Sequence, residues 1–200
     1  MARTFGETNP IGTGRRATLN PSRETPLGRQ FLDLARHSIE AHHFPEIARC
    51  LEMLSEEEIW WRPNAASNSV GNLVLHLSGN LRQWIISGLG GQPDTRHREQ
   101  EFSEKGPLAK RVILSRLRTT VKEAGQVISS LTAKDLTSLH HIQGFKVSGL
   151  QAVSHVLEHF AFHTGQIVYL TKMKVEKDLG FTRLPGEKRG KPGPKPLPIL

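Results

Sequence analysis

His155-Val-Leu-Glu-His159-Phe-Ala-Phe-His163-Thr-Gly-Gln166 places three imidazoles at four-residue intervals in a stretch that reads as one helix. A helix advances about 100° and 1.5 Å per residue, so histidines four apart differ by roughly 40° and 6 Å and can grip a single ion. The outer two lie about 12 Å apart along the axis and cannot both reach an ion held at ~2.1 Å. An ion on this helix therefore takes either His155/His159 or His159/His163. Upstream, Ser148-Gly-Leu-Gln151 is a capping-box pattern, and Lys172, Lys174 and Lys177 suit the negative pole of the helix dipole, so the helix is expected from about Ser148 to Lys174.

Three further segments show helical periodicity. The first runs from about Pro26 to Leu54, with Phe31, Leu34, Ala35, Ile39, Ile47, Leu51 and Leu54 as its apolar stripe and Pro45 expected to kink or split it. The second runs from about Ser69, a plausible N-cap, to Gly88, with His76 near its middle. The third runs from about Pro107 to Leu131 and turns Leu108, Val112, Leu114, Leu117, Val121, Ala124 and Ile128 largely to one side. Leu139 to Ser148 alternates and suits a small extended loop or hairpin. Four long helices with little strand content predict an all-α fold, a four-helix bundle, in which sites are built from side chains projecting inward from facing helices. His76 and the His159/His163 pair lie near mid-helix, so they meet at mid-bundle whichever way the helices run.

The remainder of the chain narrows the class. At 200 residues it suits one domain. There is no long apolar run and no signal-peptide pattern, which points to a cytoplasmic protein. Cys50 is the single cysteine, so no internal disulfide or Cys-x-x-Cys motif exists, and its spacing suits a half-buried helix position. The net charge of +8 is concentrated at the ends: residues 1–26 carry about +2, residues 182–200 about +4, and the remaining 155 only about +2. That distribution argues against nucleic-acid binding by the folded part. The two basic tails, 1–26 and 182–200, are expected to be disordered around a domain at 27–181. No nucleophile elbow, P-loop or dinucleotide fingerprint occurs.

His155-Val-Leu-Glu158-His159 also matches the H-x-x-E-H signature of inverted zinc metalloproteases. Those enzymes need a further carboxylate ligand well downstream in a larger α+β fold, and only 41 residues follow His159. The other pairing, His159/His163 with His76, makes an open three-imidazole site of catalytic rather than structural type. Glu158, Asn80 and Gln166 are candidates to orient the ligands, His155 and Trp84 to wall the pocket. Trp60 and Trp61 read as core plugs. Of the other histidines only His43 shares an apolar stripe, with Ala35 and Ile39; His37, His42, His97, His140 and His141 read as surface or loop residues.

Asn68-Ser69-Val-Gly-Asn72-Leu-Val-Leu-His76-Leu, then Asn80-Leu-Arg-Gln-Trp84, then His159-Phe-Ala-Phe-His163-Thr-Gly165-Gln166-Ile167 together resemble the DinB/YfiT-like superfamily of small metal-binding proteins, from about Leu27 to Leu179. The resemblance implies a four-helix bundle with a divalent ion, zinc or nickel, on one histidine of the second helix and an i, i+4 pair of the fourth. By position these are His76, His159 and His163, with His155 one turn outside. Many relatives have His-Arg-Gly-Gln where this chain has His163-Thr164-Gly165-Gln166, so any role of that arginine is absent or filled elsewhere.

Relatives of known chemistry imply a bacterial thiol S-transferase that uses a low-molecular-weight thiol cosubstrate such as bacillithiol or mycothiol. They also admit a metal-dependent hydrolase using the same site, or a non-catalytic metal-binding stress protein. A small-molecule substrate and a homodimer are the partners these readings admit.

Overall fold

The computed structural model describes residues 26–181 other than Pro107. The basic tails assigned from sequence lie outside that range except for Pro26, which opens the first helix. The described residues are mostly helical, in the order α1 (Pro26–His37), a π-helical turn (Ser38–His43), α2 (Phe44–Met53), α3 (Glu56–Trp60), α4 (Val70–Leu81), a second π-helical turn (Arg82–Ser87), α5 (Arg98–Ser103), α6 (Lys110–Ser130), α7 (Ala133–Thr137), β1 (Leu139–Ile142), β2 (Phe145–Ser148) and α8 (Gly149–Val175). α4 packs on α6 and α8, and the first segment, α1 through α2, packs on the same two helices. Among the described residues no helix is long and apolar enough to cross a membrane.

Helical backbone continues past Pro45, with a π-helical turn between α1 and α2. His43 and Phe44 keep helical dihedrals, and the Phe44 N–H donates to the Ile39 carbonyl five residues back. A proline lacks an N–H and its ring crowds the carbonyl four residues earlier; the wider turn just before Pro45 accommodates both demands without breaking the helix. The helix starts follow the side chains. Ser69 accepts from the Asn72 N–H, and Ser148 accepts from the Gln151 N–H while Gln151 caps Ser148 in return. Each satisfies donors that a helix end otherwise leaves unpaired.

The core is one cluster in which Leu32, Ile39, Ile47 and Leu51 of the first segment meet Leu77 and Leu81 of α4, Ile113 and Leu117 of α6, and Phe160 of α8, all essentially without solvent contact. The sequence stripe of α6 needs one correction: Val112 is 43% exposed and Ile113 takes the buried position. The helix starts at Lys110 rather than Pro107, and its inward face runs Ile113, Leu117, Val121, Ala124, Ile128, the 3- and 4-residue steps that an α-helix repeats. Cys50 is fully buried, not half-buried; burial pushes its thiol up to about 11, which makes it a packing residue rather than a nucleophile. Trp60 packs at the edge of the core and donates to the Leu108 carbonyl, as a plug does. Trp61 instead offers its ring to Lys174.

β1 and β2 form the antiparallel hairpin that the alternation around Leu139–Ser148 suggested, turning through Gln143 and Gly144. Three short helices, α3, α5 and α7, had no periodic signature, because five or six residues do not complete two turns. One of them, α5, matters for the site.

Candidate metal centre

α4 and α8 bring His76, His159 and His163 together, with one ring nitrogen from each within 4.8 Å of the others. The His76 and His159 Nε2 atoms approach to 3.1 Å. Two ligands bound at about 2.1 Å to one ion stand roughly 3.0–3.4 Å apart at right-angle to tetrahedral geometry, so this edge already has the dimension of a coordination site. His155 is not in the group: its ring lies 4.0 Å from Trp84 and 5.5 Å from His159 between centroids.

The rings are held from behind. His76 Nδ1 lies 2.8 Å from Glu101 Oε2, and Arg96 binds both oxygens of the same carboxylate at 2.8 Å. Burial alone would raise the Glu101 carboxyl, but hydrogen bonds from Arg96 and His76 outweigh it and its pKa lies below the usual range. An ionised carboxylate only accepts, so the Glu101 contact favours a proton on His76 Nδ1, a nitrogen that also lies 3.0 Å from the Arg96 guanidinium, and leaves Nε2 facing the other histidines. His163 Nδ1 meets Gln166 Oε1 at 2.7 Å, which sets the same tautomer there. His159 Nδ1 is buried without a partner. Burial first, then the neighbouring His163, His76 and His155, push the His159 imidazole down to about 3; burial also lowers His163 and His155. Three imidazoles with converging ring nitrogens, His159 and His163 biased toward the neutral form, are a donor set that fits a divalent cation, and the three residues can hold one.

Glu101 was not legible in sequence. It lies in α5, inside the charged run Arg96-His97-Arg98-Glu99-Gln100-Glu101, where the lone apolar Phe102 was the available sign of docking. α4 pins this segment: Asn72 Nδ2 donates to the Glu101 and Glu104 carbonyls, and Arg62 donates to the Phe102 carbonyl. Gly79 is required here, since a Cβ at that position would collide with the Glu101 carboxylate. Phe102 then covers His76 at 4.6 Å between ring centroids.

The remaining sequence candidates divide. Gln166 is at His163. Trp84 is buried, lies tilted against His155 and donates to Gln143 of the hairpin. Asn80 is buried one turn beyond His76. Glu158 points to solvent on α8 and makes no hydrogen bond to the three histidines. Replacing Glu101 by glutamine is expected to weaken zinc binding 10- to 100-fold while leaving the helices intact, because the His76 tautomer loses its anionic anchor. Competition with a chromophoric chelator measures it; unchanged affinity would show that Glu101 does not orient a ligand.

The model of the family described as DUF1572, protein of unknown function, matches residues 26–188. The chain belongs to this family. Two solved structures are similar to this DUF1572 member. A DinB-like protein from Bacillus cereus superposes with a TM-score of 0.55 at 18% identity, covering 67% of this chain and 87% of that one. A DinB-like protein from Bacillus subtilis gives 0.57 at 18%, covering 74% and 96%. No protein with a curated description matches. The DUF1572 chain thus has the fold of DinB-like proteins.

Proposed function

We propose that the protein is a metal-dependent enzyme of the DinB-like type that transfers a low-molecular-weight thiol to a small electrophile. The observation that carries this reading is the convergence of three imidazoles, two of them held from behind by Glu101 and Gln166, with no fourth protein ligand in the group among the described residues. Three ligands leave a coordination position for a reactant, the arrangement of catalytic rather than structural sites. A divalent ion there, zinc or nickel, supplies a Lewis acid that makes a thiol a stronger nucleophile at neutral pH. Arg96 keeps Glu101 anionic, Glu101 and Gln166 bind the outer ring nitrogens of His76 and His163, and Phe102 keeps an apolar ring beside His76. The thiol itself is the part that rests on resemblance.

Two measurements test the reading. Untagged wild-type, His155→Ala and His163→Ala proteins are compared for metal content; His155→Ala should match the wild type and His163→Ala should lose one ion, and the reverse result would restore the His155/His159 pairing. Metal-loaded protein is then incubated with a bacillithiol- or mycothiol-type thiol and an activated halide. One thiol and one halide should be consumed for each thioether and halide ion formed, and His163→Ala should abolish turnover. Ester hydrolysis without thiol consumption would favour the hydrolase. Collapse of helicity on chelation would favour a structural role.

A further inference from the structure

The π-helical turn of the first segment carries a second group of ligand atoms. His42, His43 and Glu46 each bring a donor atom within 4.8 Å of the other two, and none of the three takes part in the His76 centre. In a regular α-helix adjacent residues diverge by about 100°, but the wider turn ending at His43 lets neighbouring imidazoles lie closer, with ring centroids 4.8 Å apart. Glu46, three residues after His43 and four after His42, falls on the same face.

The contacts are those of an incomplete site. His43 Nδ1 is buried and has no hydrogen-bond partner. Its nearest carboxylate oxygen, Glu46 Oε2, stands 3.8 Å away. That is too long for a hydrogen bond, yet within the roughly 4.2 Å that two ligands can span across one ion at ~2.1 Å from each. Beside the group opens a cleft of about 390 Å³, lined by His43 and Glu46 from one side and by Thr164, Gly165 and Lys172 of α8 from the other. A cation held here would therefore face open space.

We propose that His42, His43 and Glu46 form a second divalent-cation site, with its free coordination positions turned toward this cleft. Two imidazoles and one carboxylate select a first-row ion of the zinc type over magnesium or calcium, which prefer all-oxygen shells. Glu46 supplies the negative charge that the three-histidine centre lacks in its inner sphere.

The test uses the full chain with His159→Ala, which disables the first centre, titrated with zinc alone. One zinc ion per chain should bind, and adding Glu46→Gln should weaken it at least tenfold, with His42→Ala removing it. Cobalt in place of zinc should give visible absorption bands that both substitutions abolish. Circular dichroism checks that the helices persist; should a variant unfold, the imidazole NMR resonances of His42 and His43 in the His159→Ala protein must shift on one equivalent of zinc. A His159→Ala protein that binds no stoichiometric zinc, or whose zinc is indifferent to Glu46→Gln and His42→Ala, overturns the proposal. Neither result depends on the thiol reading, which is read out at the other centre.

Discussion

Alanine in place of His159 is expected to weaken zinc at the three-histidine centre by roughly 100- to 1,000-fold, since four-ligand zinc sites bind with about 10–16 kcal/mol and each ligand carries a comparable share. The three rings form a nearly equilateral triangle, with His159 4.9 Å from His76 and 4.4 Å from His163 and those two 5.0 Å apart, so removing His159 leaves only two of three ligands. Isothermal titration against a competing chelator measures the loss. The helices should survive the change. His159 is only half-buried, and burial plus neighbouring imidazoles already hold it neutral, so removing it relieves crowding in the metal-free protein. A variant that keeps zinc affinity within threefold of wild type would sink the assignment of His159 as a ligand.

The second large effect is on stability. Phe160 is the next residue along α8, 1% exposed, at the centre of the core. Truncating it to alanine should cost about 3–5 kcal/mol, the sum of lost transfer free energy and an unfilled cavity. Urea unfolding followed by circular dichroism reads this as a lower midpoint at unchanged slope. The contrast with His159→Ala is informative, because neighbouring residues on one helix then divide cleanly into a change that removes a ligand and a change that removes packing. A cost below about 1 kcal/mol would mean that the core relaxes into the cavity, contrary to the close packing expected of it.

Much of the site was readable because its signals are local. The His159/His163 pair depends on helical spacing alone, Gln166 lies three residues from His163, and the caps at Ser69 and Ser148 depend on side chains within one turn. His76 was readable through its position in a helix of the right length. Glu101 was not, since its role comes from Asn72 and Arg62 pinning a short polar segment onto α4, and no periodicity records that contact. Val112 shows the limit in the other direction. A stripe on a helical wheel tolerates a neighbouring hydrophobe, and only the packing of α6 on the other helices decided that Ile113 turns inward.

The π-helical turns mark the same boundary. A proline at 45 announces that a helix must adapt, but not how; widening the turn kept the segment continuous and set His42 and His43 beside Glu46. Sequence by itself determined the mostly helical class, the helix starts and the i, i+4 histidines, because these follow from hydrogen bonds and side-chain spacing within a few residues. The tertiary structure alone decided which imidazoles converge, which carboxylate backs His76 and that His155 lies against Trp84. Those choices depend on how separate helices lie against one another, and burial rewards apolar area without regard to which polar side chain it carries inward.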